Sequence, residues 1–200
     1  GKANRHMATV KSICIYCGSR TGHDPRFSAM AEALGRLLAE NHISLVYGGG
    51  SVGLMGMLAR SVMAHGGAVT GIIPAHLDRV EITQAGLTRL HVVSSMHERK
   101  RLMFDEADAF VSLPGSIGTL DETIEVITWK QLGLHDKPIL LVNDDGYWEP
   151  FEALIRHVIS AGFTSEETAG LYTLVDGIDD ILPTLGKAPA PTRPDREDLI

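Results

Sequence analysis

DAFVSLPGSIGTLDETIEVITW, from Asp108 to Trp129, carries the pattern that decides the fold. Residues 108–113 form an apolar run, which predicts a buried strand. Pro114 and Gly115 stop it, and the residues from about Thr119 onward have the composition of a helix. A buried strand, a glycine turn and a helix start make a ready anion site, because the first N–H groups of a helix lack intrahelical partners. Asp121, Glu122 and Glu125 sit oddly there, since a phosphate site gains nothing from carboxylates.

Working outward, the same unit recurs. Apolar runs at 11–17, 43–47, 68–74, 87–93, 137–143 and 171–175 predict six more strands. Between them lie helical patterns. One follows Asp24-Pro25, an N-cap with proline at the first helical position. Its Phe27, Met30, Ala31, Leu34, Leu37 and Leu38 fall at helical spacing. A second runs from the GGGSVGLMG turn (48–56) to about His65, where Gly66-Gly67 ends it. Others span 94–107, where Ser95 and Glu98 fit a capping box, then 149–161 and a short 178–185. Residues 75–86 show no period and read as a long loop, a length at which loops are usually functional.

The strands are continuous apolar runs that alternate with helices. This predicts an α/β fold, a Rossmann-like doubly wound and mostly parallel sheet of about seven strands with helices on both faces. Such sheets bind ligands at the carboxyl ends of their strands, where the turns at 18–19, 48–50 and 115–118 all fall.

Two hundred residues with 44% hydrophobic and 22% charged content fit one soluble domain. We assign it to 8–185, with GKANRHM (1–7) read as a tag remnant and the proline-bearing residues 186–200 as a disordered tail. A net charge of −7 without a dense Lys/Arg block argues against nucleic-acid binding. No apolar run reaches the ~20 residues of a membrane span, and no signal-peptide layout opens the chain, so the expected location is the cytoplasm. Cys14 and Cys17 have CxxC spacing, but nothing supplies a second ligand pair, so they read as buried strand thiols. The nine histidines form no HExxH or HxH. Neither a metal nor a cofactor is expected.

Three features carry two readings each. Gly48, Gly49 and Gly50 serve either a tight strand–helix corner or backbone contact with phosphate. No acidic residue follows strand two to hold a ribose, which weakens an NAD-dependent oxidoreductase. Arg99, Lys100 and Arg101 are cations near a helix start, a placement costing about 0.3–1 kcal/mol each against the dipole. They form a solvated face, or they answer an acidic ligand or a carboxylate of the 108–129 stretch. Glu122 is either the reciprocal partner of Thr119 in a capping box or a functional carboxylate.

CGS (17–19), GGGSVGLMG (48–56), EIT (81–83), MHERK (96–100) and PGSIGTLDE (114–122) together resemble the LOG family of cytokinin riboside 5′-monophosphate phosphoribohydrolases, long labelled lysine decarboxylase-like. The resemblance spans 11 to about 182. It implies hydrolysis of the N-glycosidic bond of a nucleoside 5′-monophosphate, either an N6-substituted adenine cytokinin riboside monophosphate or AMP, to free base and ribose 5-phosphate. It further implies a homodimer with sites near the interface. Carried over by position, Arg99 and Glu122 match the catalytic pair. Glu81, Lys100, Ser116, Ile117, Gly118, Thr119, Leu120, Asp121 and Thr128 match substrate-contacting positions, and the turns contribute Gly18, Ser19, Gly48, Gly49, Gly50 and Gly115. The chain departs from the family's PGGxGT at Ser116. Glycine there would permit positive φ, whereas serine restricts the backbone and adds a hydroxyl. A nucleotide-binding module without catalysis is the alternative that this departure keeps open.

Overall fold

The computed structural model describes residues 9–189. The elements, in chain order, are β1 (Ser12–Tyr16), α1 (Pro25–Glu40), β2 (Ser44–Tyr47), α2 (Gly53–Ala64), β3 (Val69–Pro74), α3 (Asp78–Glu81), β4 (Arg89–Val93), α4 (Met96–Glu106), β5 (Ala109–Ser112), α5 (Ile117–Gln131), β6 (Ile139–Val142), α6 (Glu149–Ser160), β7 (Thr173–Val175) and α7 (Ile181–Lys187). All seven predicted strands form, and every pairing is parallel, in the order β4-β3-β2-β1-β5-β6-β7. The winding reverses between β1 and β5, which opens a crevice beyond their carboxyl ends.

Each central strand is covered on both faces. Ile13, Ile15 and Cys17 pack with α1, α2 and α7 residues, whereas Cys14 and Tyr16 pack with residues of α4, α5 and α6. Strand periodicity thus sends the two cysteines to opposite cores. Both are free and buried. On α1, Asp24 caps as predicted, its carboxylate accepting the Arg26 N–H at 2.9 Å. Met30, Ala31, Leu34 and Leu38 supply the buried stripe.

Four expectations need correction. The 75–86 segment is no plain loop: it holds a short 3-10 turn over 75–77 and α3. The second correction concerns α5, which starts at Ile117 with Ser116 as N-cap, not at Thr119. Thr119 is buried, its side chain folded against Gly115, so it caps nothing and the Thr119–Glu122 capping box does not form. In α4, Ser95 accepts the Glu98 N–H, but Glu98 reaches back to the N–H and hydroxyl of Ser94 (2.9 and 2.8 Å), one residue earlier than a capping box requires. Finally, α7 runs to Lys187, two residues into the stretch assigned to the tail. Residues 1–8, of which 1–7 are read above as a tag remnant, and 190–200 lie outside the described residues. No helix among the described residues is long and apolar enough to cross a membrane.

Candidate active site

The crevice beyond β1 and β5 is a small cleft of about 110 Å³, open to solvent. Ser19, Gly48, Glu81, Arg99, Ser116, Gly118, Thr119 and Glu122 line one part of it. Met55, Leu77, Met96 and Met103 also line it, with Ile15, Tyr16 and Cys17 at the end of β1.

Arg99 builds the wall between β2 and β3. It is buried, and Nε donates to the Ile72 carbonyl at 3.0 Å while Nη2 donates to Gly48 O at 2.6 Å. Nη2 and Nη1 also grip the two Glu81 oxygens, at 2.7 and 3.3 Å. Four of the five guanidinium N–H groups are therefore committed to the protein. This answers the helix-start problem for Arg99 within the chain itself. A Cβ on Gly48 would lie 2.1 Å from Nη2, so this glycine makes room for the guanidinium.

Glu81 arrives by a strained route. Ile82, which ends α3, has φ 53°, a region that β-branched residues avoid. Surrounding bonds hold it there. The Ser51 N–H donates to Glu81 O and Ile82 O (3.0 and 2.7 Å), Gln84 N–H to Gly49 O (2.9 Å), and Asp78 accepts the Thr83 N–H at 2.9 Å and its hydroxyl. Such strain, about 1–3 kcal/mol, persists only where its surroundings over-determine it.

The same region shows what holds the glycine-rich turn. Carbonyls of Gly48, Gly49 and Gly50 accept from Arg99, Gln84 and the Tyr47 hydroxyl respectively. The turn is a tight corner, and of its three glycines only Gly48 reaches the cleft lining. Tyr47 stands where a dinucleotide site would place an acid, and its hydroxyl closes that corner instead.

Lys100 is also answered internally. Its ammonium meets Glu125 at 2.8 Å and Asp121 at 3.3 Å, and the bond to Glu125 is the main cause that raises its pKa. Arg101 is a solvated surface cation paired with Asp105. Two of the three helical carboxylates that looked misplaced beside an anion site thus serve α4.

Glu122 is the third, and it differs. It is half-buried in the cleft and has no hydrogen bond or ion pair among the described residues. Burial pushes its pKa up to about 7, with Arg99 pulling down and Glu81 and Asp121 pushing up. At the same end of the cleft, Leu120 is the first α5 residue whose N–H finds a backbone acceptor, Ser116 O at 3.0 Å. The N–H groups of Ile117, Gly118 and Thr119 come before it. Ser116 has φ −102°, ordinary for any L-residue, so the backbone requires no glycine there. Its hydroxyl makes no cap bond.

The structure thus gathers Ser19, Gly48, Glu81, Arg99, Ser116, Gly118, Thr119 and Glu122. Gly18, Gly49, Gly50 and Gly115 support the turns from behind, and Lys100, Ile117, Leu120, Asp121 and Thr128 do not line this chain's cleft. Thr128 is exposed, and its hydroxyl donates back to Ile124 O at 2.7 Å. The sequence offered no sign that Met55, Met96 and Met103 line the cleft, because methionines at helical spacing read as core.

The described residues 55–185 match a family model described as "Possible lysine decarboxylase". A probable cytokinin riboside 5′-monophosphate phosphoribohydrolase of Oryza sativa subsp. japonica is 43% identical over 90% of this chain and 79% of its own length. The chain belongs to this LOG family of phosphoribohydrolases. With it the chain joins the N-glycosyl hydrolases. Another LOG member, a cytokinin riboside 5′-monophosphate phosphoribohydrolase of Rhodococcoides fascians, is 45% identical over 80% of this chain and 81% of its own. The molybdenum cofactor carrier protein of Chlamydomonas reinhardtii shares the LOG chain's fold (TM-score 0.67, covering 88% of this chain and 96% of the carrier). At 18% identity that likeness is one of fold alone.

Proposed function

We propose that the cleft hydrolyses the N-glycosidic bond of a nucleoside 5′-monophosphate, an N6-substituted adenine riboside monophosphate or AMP. Phosphate sits on the α5 N-terminus, held by the N–H groups of Gly118 and Thr119 and by the Ser116 hydroxyl. The base lies against Met55, Leu77, Met96 and Met103, whose flexible side chains suit an apolar N6 substituent. As the C1′–N bond breaks, its electron pair leaves with the base and positive charge grows on the ribose. Glu122 faces that charge and takes a proton from the attacking water, whose oxygen bonds to C1′; a proton completes the departing base. Arg99 holds Glu81 in place for the ribose and tempers the charge of Glu122 through space.

The observation that carries this reading is Glu122: a half-buried carboxylate without a partner among the described residues, next to a helix start whose first N–H groups have no backbone acceptor. Incubation with AMP and N6-isopentenyl-AMP, followed by chromatography, is expected to release free base and ribose 5-phosphate from at least one. A folded protein that binds either nucleotide and releases no base would identify a non-catalytic module instead.

We further propose that two copies pair across α5. Ile117, Asp121, Ile124, Thr128 and Leu132 form one exposed stripe at helical spacing. Such pairing would cover Ile117 and Ile124 and bring Thr128 towards the other copy's cleft. Light scattering is expected to give twice the mass of the 21.6 kDa chain. Ile124→Glu is expected to shift that mass to the monomer; a wild-type monomer at micromolar concentration sinks the proposal.

A further inference from the structure

Tyr147 follows the 3-10 turn 144–146 after β6, far in sequence from the cleft residues. Its hydroxyl donates to the Gly115 carbonyl at 2.6 Å and accepts the Gly115 N–H at 3.4 Å. One hydroxyl thus holds both backbone groups of one glycine. The ring is itself fixed, edge-on to Phe27 (centroids 5.8 Å apart) and to Trp148 (5.4 Å).

Gly115 is the point where the 114–116 turn most needs such a hold. A Cβ there would lie 2.0 Å from the Thr119 hydroxyl oxygen, so the position is confined to glycine, the residue with the widest backbone freedom. The Gly18 N–H fixes the preceding carbonyl, Pro114 O, at 3.0 Å. Thr119 packs beneath. Pro114 O and the Gly115 N–H share one peptide plane; the next plane, which carries the Gly115 carbonyl and the Ser116 N–H, is tied by the Tyr147 hydroxyl. The next residues are Ser116, with its free hydroxyl, and the first turn of α5. The geometry points to Tyr147 as a positioning residue for phosphate recognition: by pinning Gly115 it sets the direction of the Ser116 hydroxyl and the α5 N–H groups. This rests on the proposed placement of phosphate at that helix start.

The test is Tyr147→Phe, which keeps the ring contacts and removes both bonds. Binding of ribose 5-phosphate and of adenine is measured by calorimetry, together with KM and kcat for the nucleotide that the wild type cleaves. Loss of hydrogen bonds of this kind predicts a rise of about three- to tenfold in the ribose 5-phosphate Kd and in KM. Affinity for adenine and kcat are expected to stay within twofold. Unchanged ribose 5-phosphate affinity overturns the inference, and so does an equal loss for adenine, which would mark a general loosening of the cleft. If the wild type releases no base, the hydrolase reading fails. The ribose 5-phosphate comparison still decides the role of Tyr147.

Discussion

Glu122→Gln is expected to lower kcat by about 10²-fold or more while leaving KM within a few-fold, as removal of an acid–base group does. The amide keeps the shape of the carboxylate but carries neither the charge nor the proton-accepting oxygen. The wild-type profile follows from the same group. With a pKa of about 7 in the folded protein, the carboxylate form gains population as pH rises from 6 to 8, so kcat/KM is expected to climb through about pH 7. The variant's residual activity is expected to lose that step. Stability runs the other way. The folded pKa lies above that of an ordinary glutamate, so between about pH 4.5 and 7 the native state binds more protons than the unfolded one. Stability therefore falls with rising pH across that window, by at most about 3 kcal/mol, and the penalty is fully present above it. Glu122→Gln is expected to remove the penalty and melt higher than wild type at pH 8. Denaturant titrations at pH 5 and 8 check the sign. A variant less stable than wild type at pH 8 would return Glu122 to a structural role.

Arg99→Ala is expected to destabilise the protein by about 3–5 kcal/mol, the typical result of breaking a buried pair by removing one partner. Glu81 is left with a buried charge, and Ile72 O and Gly48 O lose their donor. The strain at Ile82 then has less to hold it, so the 75–86 segment is the region expected to exchange its amide hydrogens faster. Arg99→Ala combined with Glu81→Gln is expected to recover part of the stability, because the uncompensated charge is gone. Activity is not expected to return, since both cleft walls remain altered. Urea unfolding of the two single variants and the double variant measures the coupling between them. Additive losses would mean that the pair is not the clamp it is drawn to be.

Most of the fold was legible because strands buried on both faces leave uninterrupted apolar runs, as in Ile13–Tyr16 and Ile139–Val142, and helices leave a different period. Helix starts were harder. Thr119 looks like the cap, and only its packing against Gly115 shows that Ser116 stands there instead. The short α3 left no periodic trace because four residues make barely one turn. Arg99 and Lys100 were visibly anomalous in sequence, yet which carboxylate answers which cation depends on contacts 18 to 25 residues apart. Glu81 came to notice through the family resemblance alone, and Tyr147 through no sequence signal, because a hydroxyl that grips one backbone residue looks like any loop tyrosine. The departure at Ser116 matters less to the backbone than its sequence suggested, since its dihedrals are those of an ordinary residue.

Three positions of the 115–118 turn differ in which side chains the fold permits. Gly115 is locked by Thr119, and any side chain there costs the fold. Ser116 sits in extended dihedrals that an L-residue adopts without strain, so the backbone does not dictate its identity. Gly118 has neither positive φ nor any atom within 4 Å of an added Cβ. An added Cβ would meet no protein atom, so the fold itself does not require glycine at this position. Within four residues, packing confines one position to glycine and leaves positions 116 and 118 sterically open.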